Sequence, residues 1–356
     1  MSRPASSLVT LVTLALVATV LLCPAPALGA GHVVSTVGCP ALPDPGYDSA
    51  LAPQVSGNAV VYSASDESYA GDYYAVYNWT VGAATAVDWP AIPWRGAGDF
   101  DGGVAVYEGS RAGHSTIRAT NGVLDVEIAA GSYSCKRPRI SGDRVVWQQD
   151  PRGDWDIAGA TIDPATLAPV STYSICRARK AQTNPDIDGQ IVTWQDKRSG
   201  GFDIRAREFG SPSVVICNGR HGQDSPRVGD GWIAWVDWRN KSTGGDIYAR
   251  RFSSGPVKAI CRARRAQKEP DVSGGFIVWT DWRNVAHPEG GSTDTPRDTD
   301  IRAWDLTTGT SFRVAHTSAM ECEPDIDGGT VVYDSLPDDH MGEEWFGSVY
   351  AATLAH

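Results

Sequence analysis

The chain is poor in the residues and motifs from which catalytic and metal sites are usually built. Its seven histidines are scattered over 356 residues, and no CxxC pair or cluster of His and Cys is present. The sequence also contains no GxSxG, no HExxH and no P-loop. From these absences we predict no catalytic residue, no metal and no cofactor.

Positive charge is also scarce. Lys and Arg total 31 against 42 Asp and Glu, which gives a net charge of -11. A general nucleic-acid binder has a net basic domain, so nucleic acid is not an expected partner. No membrane span is expected after residue 30.

Residues 1–30 are predicted to be a signal peptide. Arg3 is their only charge, residues 8–22 are uncharged and mostly apolar, and small residues at 25–30 suit cleavage. A membrane anchor is the alternative, but a span needs roughly 20 residues, more than this run offers. Lipidation at Cys23 is another alternative, which the bulky Leu22 disfavours. The expected location is secreted, periplasmic or cell-surface.

What the chain does contain is a repeated segment. Residues 185–204 read PDIDGQIVTWQDKRSGGFDI, and close copies begin at Pro226 and Pro270. In each of seven units an aromatic residue lies nine positions after the opening residue, which is Pro in six units and Gly98 in the other. These aromatics are Tyr62, Tyr107, Trp147, Trp194, Trp235, Trp279 and Tyr333. A period of about 40 to 50 residues is typical of solenoids, propellers and arrays.

The repeat predicts an all-β fold, namely a seven-bladed β-propeller of four-stranded antiparallel blades. Each unit reads as four short strands with tight turns such as Asp188-Gly189, and its proline is expected to be the first residue of a strand. The aromatic nine positions on is expected to fill the space between blades. Residues 31–356 should form one propeller, with units starting near residues 53, 98, 138, 185, 226, 270 and 324.

The last unit lacks an outer strand of its own. Residues 32–39 read HVVSTVGC, which is similar to the outer strand SVVIC that ends at Cys217. We predict that this N-terminal strand completes the last blade and closes the ring, so that no exposed sheet edge remains there.

Six cysteines follow the predicted signal peptide, and export permits disulfides. Three lie at equivalent ends of outer strands, namely Cys176, Cys217 and Cys261. Equivalent places on neighbouring blades are too far apart for these three to bridge one another. One hypothesis pairs Cys135 with Cys176 and Cys39 with Cys322. The other is that the cysteines are buried free thiols.

The most repeated polar feature is Asp-x-Arg after the aromatic, followed by Asp-Ile. A catalytic site is needed only once, so we assign this repeated motif a structural role. The arginine fork can hold two carboxylates, as Arg198 would hold Asp196 and Asp203. The structural set comprises Trp147, Trp194, Asp196, Arg198, Trp235, Asp237, Arg239, Trp279, Asp281 and Arg283.

Position two of each unit forms a second charged set. If the opening strand is innermost, these side chains surround a central channel and could bind a cation or a polar ligand. Mutual ion pairing is the favoured alternative. The charged members are Asp99, Arg139, Asp186, Arg227, Asp271 and Asp325, and Gln54 holds this position in the first unit.

The connections between units are basic, reading CRARK and CRARR in two of them. We expect them to share one face and to form a candidate site for an anionic partner. An ordinary solvated surface is the favoured alternative. The candidate residues are Arg177, Arg179, Lys180, Arg220, His221, Arg262, Arg264 and Arg265. The unique loop at residues 284–299 is Gly- and Pro-rich and is a further binding candidate.

The segment PDIDGQIVTWQDKRSGGFDI resembles the TolB-type propeller repeats of exported bacterial and archaeal surface proteins, over about residues 48–356. The resemblance rests on the Pro, Gly, Trp, Asp-x-Arg and Asp-Ile positions, and it implies a binding platform without catalysis. We therefore expect a monomeric propeller that binds a protein or a cell-envelope polysaccharide. The competing hypothesis is a secreted glycoside hydrolase or polysaccharide lyase, which needs a unique carboxylate pair or a His-rich metal site.

Overall fold

The computed structural model describes residues 33–38, 49–65, 73–80, 83–88, 98–240, 242–284, 299–336 and 348–356. The predicted signal peptide, Cys23, Cys39 and nearly all of the loop at 284–299 lie outside these ranges. Within them the regular structure consists of 28 strands and no helix. The described residues accordingly include no helix that could cross a membrane.

The strands form seven four-stranded antiparallel sheets, which we number as blades in chain order. Blade 1 contains β2 (Ser49–Ser56), β3 (Ala59–Ser65), β4 (Tyr73–Thr80) and β5 (Ala83–Asp88). Blade 2 contains β6 (Asp99–Asp101), β7 (Val104–Arg111), β8 (His114–Thr120) and β9 (Asp125–Ala129). Blade 3 contains β10 (Cys135–Ser141), β11 (Arg144–Gln149), β12 (Asp156–Ile162) and β13 (Pro169–Cys176). Blade 4 contains β14 (Gln182–Asp188), β15 (Ile191–Asp196), β16 (Asp203–Glu208) and β17 (Val214–Cys217).

Blade 5 contains β18 (Gln223–Gly229), β19 (Trp232–Asp237), β20 (Asp246–Arg251) and β21 (Lys258–Cys261). Blade 6 contains β22 (Gln267–Ser273), β23 (Phe276–Asp281), β24 (Asp300–Asp305) and β25 (Thr310–Ala315). Blade 7 contains β26 (Met320–Asp327), β27 (Thr330–Leu336), β28 (Ser348–Ala355) and β1 (Val33–Gly38). The predicted all-β class is confirmed, and seven four-stranded sheets are consistent with a seven-bladed propeller.

The N-terminal strand β1 belongs to the last sheet. It pairs antiparallel with β28, with Val33 opposite Ala355 and Gly38 opposite Tyr350. The strand order of this sheet is β1-β28-β27-β26, so its outer strand comes from the start of the chain and its other three strands from the end.

In the six units that open with proline, the proline lies inside its strand, not at the first residue as predicted. In blade 4 the strand already begins at Gln182, and its register shifts between Thr183 and Asp186. Asn184, just before Pro185, has φ 49°. A β-bulge therefore accommodates the proline, which cannot donate to the ladder. The same left-handed residue precedes the proline in four other blades: Arg137, Ser225, Glu269 and Glu323.

The aromatic at plus nine is buried in every blade. Trp194, Trp235 and Trp279 have no exposed surface, and Tyr333 at 4% is the most exposed of the seven. Trp235 of blade 5 packs in one apolar cluster with Ile204 of blade 4. Packing against the preceding blade explains why a large side chain recurs at this position, since fully burying such a side chain contributes on the order of 2 to 3 kcal/mol.

Candidate functional site

Each pair of neighbouring blades is joined by a hydrogen bond from a backbone amide to a side-chain oxygen. The acceptor lies at position four of its unit, counted from the opening residue, or next to it. Asp101 of blade 2 accepts a hydrogen bond from the Gly142 amide of blade 3 at 2.7 Å. Ser141 accepts one from the Gly189 amide of blade 4 at 3.0 Å. The other five junctions have the same kind of bond, from Gly102 to Ser56, Asp230 to Asp188, Gly275 to Asp230, Gly328 to Ser273 and Gly57 to Asp327. All seven junctions are thus bonded alike.

A cavity of about 290 Å³ is lined by the first strand of every blade. The six charged residues predicted for a channel all line it, namely Asp99, Arg139, Asp186, Arg227, Asp271 and Asp325. Arg139 lies between two carboxylates, with its Nη1 3.4 Å from Asp99 Oδ1 and its Nε 3.8 Å from Asp186 Oδ1. The Nε of Arg227 is 4.0 Å from Asp271 Oδ1. These charges face one another across the cavity.

The carboxylates of the cavity also hold the blades together. Each accepts a backbone N–H from the next blade: Ile140 to Asp99, Val228 to Asp186, Ile326 to Asp271 and Val55 to Asp325. Burial raises the pKa of all four. The pKa of Asp325 lies well above its ordinary value, because repulsion from Asp271 and Asp99 adds to the burial.

In blades 4, 5 and 6 the Asp-x-Arg motif forms one recurring buried unit. In blade 5 Asp237 has no exposed surface, and Arg239 donates to it from Nε at 2.8 Å and from Nη2 at 2.5 Å. The Trp235 indole also donates to Asp237, at 3.1 Å, and Arg239 Nη2 lies 3.3 Å from Cys217 Sγ. Burial raises the pKa of Asp237, but these hydrogen bonds outweigh it and hold the pKa below its ordinary value. The corresponding residues are Trp194, Asp196, Arg198 and Cys176 in one unit and Trp279, Asp281, Arg283 and Cys261 in the other.

The expectation that each arginine holds two carboxylates is wrong. Arg198 binds Asp196, whereas Asp203 accepts a hydrogen bond from the Ser199 hydroxyl at 2.6 Å. In blade 3 the pairing changes, because Arg152 binds Asp156 at 2.7 Å. In each of these turns the arginine binds one of the two carboxylates.

The proposed disulfide between Cys135 and Cys176 is not formed. Five cysteines are free thiols, namely Cys135, Cys176, Cys217, Cys261 and Cys322. Cys39, the suggested partner of Cys322, lies outside the described residues. Cys176 instead lies against Arg198, with Sγ 3.2 Å from Nη2, and burial raises the pKa of Cys135 to about 12. These thiols are therefore protonated at neutral pH, and Cys176 has a place in the repeated unit.

Buried glutamines that the sequence analysis missed hold the basic connections in place. The Gln182 amide donates to the carbonyl of Lys180 at 2.6 Å and accepts from the Ala178 amide at 3.1 Å. Gln223 also donates to the carbonyl of Gly219, and Gln267 to that of Arg265. The sequence does show this feature, because a glutamine lies six residues after each of Cys176, Cys217 and Cys261.

The predicted anion-binding residues lie at the surface. Arg177, Arg179, Lys180, Arg220, His221, Arg262 and Arg264 are exposed, and Arg265 is half-buried. A depression of about 590 Å³ is lined by Arg152, Asp154, Arg177, Ala178, Arg179, Lys180 and Arg198. We call it the basic depression. Within the described ranges Arg179 and Lys180 have no carboxylate partner. The basic residues of the other two connections do not line this depression.

The connection that leads into blade 7 differs from the others. His316 and Glu321 occupy the places where other connections have Arg and Gln. His316 Nδ1 is 2.7 Å from Asp300 Oδ1, and Asp300 has no exposed surface. Glu321 is 1% exposed, and its Oε2 has no partner. Burial raises the pKa of Glu321 to about 7, with a hydrogen bond from Thr317 lowering it and Asp300 raising it further. The sequence analysis missed this group, although the glutamate at position 321, where other connections have glutamine, distinguishes it in the sequence.

This set does not form a metal site. Across the ranges that the structure describes, no group of three His, Cys, Asp or Glu side chains is arranged to hold a metal ion. The loop at residues 284–299 precedes Asp300, but almost all of it lies outside those ranges.

Comparison with solved structures places the chain among β-propellers. The β-propeller domain of the trilobed protease from Pyrococcus furiosus superposes with a TM-score of 0.58 at 14% identity, covering 85% of this chain and 95% of that one. The acylaminoacyl peptidase of Pyrococcus horikoshii gives a TM-score of 0.57 at 12% identity, covering 86% of this chain. The present chain spans only 51% of that peptidase. At these identities the likeness shows the fold alone.

TolB from Acinetobacter baumannii is also similar, with a TM-score of 0.46 at 14% identity, covering 91% of this chain and 79% of that one. Thus TolB and related propellers occur among the structural neighbours, as the repeated motif predicted. No protein-family model matches the sequence, and no curated protein sequence matches it.

Proposed function

We propose that this protein is an exported, non-catalytic binding propeller that recognises an anionic glycan or protein of the cell envelope through its basic depression. The observation that carries the proposal is the surplus of positive charge there in an otherwise acidic chain. Arg179 and Lys180 line the depression without a carboxylate partner among the described residues. The expected export rests on residues 1–30.

Local charge balance supports this assignment. Arg152 and Arg177 both approach Asp156, with Arg177 Nε 3.8 Å from its Oδ2, and Arg198 is paired with Asp196. Those arginines are partly neutralised by buried carboxylates. The side chains of Arg179 and Lys180 are left to attract an anion, and cations grouped on one surface raise both the association rate and the affinity for such a partner.

The rigidity of the connection between blades 3 and 4 also supports binding at the basic depression. Lys180 has φ 64°, a left-handed conformation, and its carbonyl accepts from the buried Gln182 amide. A preformed loop loses little entropy when it binds. The same geometry recurs at His221 and Arg265, with φ 76° and 69°, so the two other connections display their basic residues from equivalent turns.

The test is binding of an acidic polysaccharide by the Arg179→Glu/Lys180→Glu variant. We expect at least a tenfold loss of affinity, and a weaker salt dependence than in the wild type. The matched control is Arg251→Glu/Lys258→Glu, which reverses two charges that lie over the ring of Trp232 and away from the depression. Equal losses in the two variants, or no loss in the first, would contradict the proposal.

A carbohydrate-active enzyme is the second candidate, and one observation favours it. Asp300, His316 and Glu321 form an acid–base set that no other connection within the described ranges repeats, and a strongly perturbed carboxyl pKa is typical of functional sites. The discriminating experiment measures cleavage of a polysaccharide panel by the wild type and by His316→Ala. Turnover that His316→Ala abolishes would make the protein an enzyme.

We also propose that the ring is closed by β1. The support comes from its pairing with β28 and from the bonds that Val55 and Gly57 donate to Asp325 and Asp327. A variant lacking residues 31–38 should then unfold at a lower temperature than the full-length protein, since the edge of β28 is left unpaired. Unchanged thermal stability would contradict closure by this strand.

A further inference from the structure

A second pocket lies next to the basic depression and has a different chemical character. Its volume is about 410 Å³, and Tyr133, Trp147 and Tyr173 line it together with Gln149, Ser174 and Arg177. Aromatic rings with a few placed polar groups are the usual composition of a small-molecule site. We call it the aromatic pocket.

The residue opposite the plus-nine aromatic is small in blade 3 and long in blades 2, 4, 5, 6 and 7; blade 1 also has an alanine there, Ala75 opposite Tyr62. Trp147 is paired across the ladder with Ala158. The corresponding partners of the plus-nine aromatic are Arg118, Arg205, Tyr248, Arg302 and Tyr350 in blades 2, 4, 5, 6 and 7. Tyr248 stacks on Trp235 and Tyr350 on Tyr333, whereas the methyl group of Ala158 leaves Trp147 lining the pocket.

Polar groups in the aromatic pocket are available to a ligand. The Gln149 side-chain oxygen accepts from the Trp147 indole N–H at 3.1 Å. Because an indole can only donate, the amide must present its oxygen to Trp147, and its NH₂ group is left to donate elsewhere. No hydrogen bond from this NH₂ to another described residue is present.

Tyr133, another wall of the pocket, is half-buried and its ring packs on Gly131. The contact is so close that a Cβ at position 131 would lie 2.6 Å from Cε1 of the ring.

Arg177 connects the aromatic pocket with the basic depression, since it lines both. Its side chain is 56% exposed, and its one carboxylate contact among the described residues is the 3.8 Å approach of Nε to Asp156. Asp156 is already bound by Arg152 at 2.7 and 2.9 Å. The Arg177 guanidinium therefore keeps N–H groups that can bind a ligand carboxylate in a bidentate manner.

From this geometry we propose that the two pockets form one site for an acidic saccharide. A pyranose ring occupies the aromatic pocket, with its apolar face against the aromatic side chains and its hydroxyls near Gln149 and Ser174. Its carboxylate binds Arg177, and the next acidic residue of the glycan extends toward Arg179 and Lys180. This inference rests on the proposed binding function and names its ligand class, a uronate-containing glycan.

The test is titration calorimetry of the full-length protein with trigalacturonate and with the neutral trisaccharide made by reducing its carboxyl groups. The decisive variant is Ala158→Arg, which installs the residue that blades 2, 4 and 6 carry at this position and fills the pocket. We expect at least a tenfold loss of trigalacturonate affinity. Arg177→Gln should lower the affinity for trigalacturonate but leave it above that for the neutral trisaccharide, because the next carboxylate of the glycan still meets Arg179 and Lys180.

Tyr133→Ala is the second variant, since it removes an aromatic wall without adding bulk, and it should also lose affinity at least tenfold. The melting temperature of each variant shows whether it is folded. Wild-type affinity in folded Ala158→Arg and Tyr133→Ala, with loss in Arg179→Glu/Lys180→Glu, would overturn the saccharide site and keep the binding function. Wild-type affinity in all three of these variants would overturn both the saccharide site and the proposed binding function. Failure of trigalacturonate to bind the wild type, with capture of an acidic protein by the basic depression, would likewise overturn the saccharide site alone.

Discussion

The carboxylate of Asp327 accepts a hydrogen bond from the backbone amide of Gly57, which joins blade 7 to blade 1 across 270 positions of the chain. The other six junctions between blades have the same type of bond. The junction between the first and last blades is therefore built like those between blades that follow one another in sequence.

Asp327→Ala should lower the free energy of unfolding by about 1 kcal/mol, because it removes one hydrogen bond at a position where water can replace part of it. Urea denaturation measures the change. The control is Asp143→Ala, a turn residue of blade 3 that is exposed. A loss in the control as large as in Asp327→Ala would contradict a specific role for this junction.

Arg239→Ala should destabilise the protein by on the order of 2 to 4 kcal/mol, since it leaves the buried Asp237 carboxylate without its ion-pair partner. Arg239 is itself partly exposed, so the lower part of this range is expected. Arg179→Ala, which removes an exposed arginine from the depression, should change stability by less than about 0.5 kcal/mol. Both are measured by denaturant titration. Equal effects would show that the Asp-x-Arg unit is not structural.

Glu321→Gln should change the pH dependence of stability. Burial raises the pKa of Glu321 to about 7 from an ordinary value of 4.5, so between these values the folded state binds more protons than the unfolded state. Stability then decreases as pH rises from 4.5 to 7. The variant should lack this decrease and be more stable than the wild type at pH 8, by on the order of 1 to 3 kcal/mol. Melting temperatures at pH 5 and 8 test this, and parallel pH profiles for the two proteins would contradict it.

All five described cysteines should react as free thiols once the protein is unfolded without reductant. In the native protein Cys135, Cys217 and Cys261 are buried, and burial raises their pKa, so they should resist alkylation near neutral pH. Mass spectrometry after iodoacetamide treatment of the native and the denatured protein shows the difference. Any of the five protected in the denatured, unreduced protein would indicate a disulfide.

The sequence was sufficient for the fold because every unit repeats the same physical requirement. An aromatic at plus nine is needed wherever two sheets pack, and a residue with φ near 50° to 60° recurs in the turn after the first strand, as at Gly189 and Gly328. Seven copies of such a pattern fix both the strand content and the number of blades. The six charged position-two residues line the cavity that the first strands surround, since their place follows from the innermost position of the opening strand.

The details of side-chain pairing could not be obtained in this way. Whether Arg198 would reach Asp196 alone or Asp203 as well depends on the path of the six-residue turn between these two strands, which the spacing does not define. Blade 5 is a second example. Position four there is Gly229, where a Cβ would lie 1.9 Å from the Val272 carbonyl oxygen, and Asp230 provides the acceptor instead. The aromatic pocket went unnoticed because its cause is a small residue, Ala158, on a neighbouring strand.

The uniform junctions have a consequence for where the chain can begin. If blade 7 meets blade 1 as any other pair of blades meets, backbone continuity between two given blades is dispensable once the ring has formed. Circular permutants that open at an exposed turn such as Gly210–Ser211, with the present ends linked, should retain the same arrangement of blades. The order of the units along the polypeptide would then be free to change while their order around the ring is preserved.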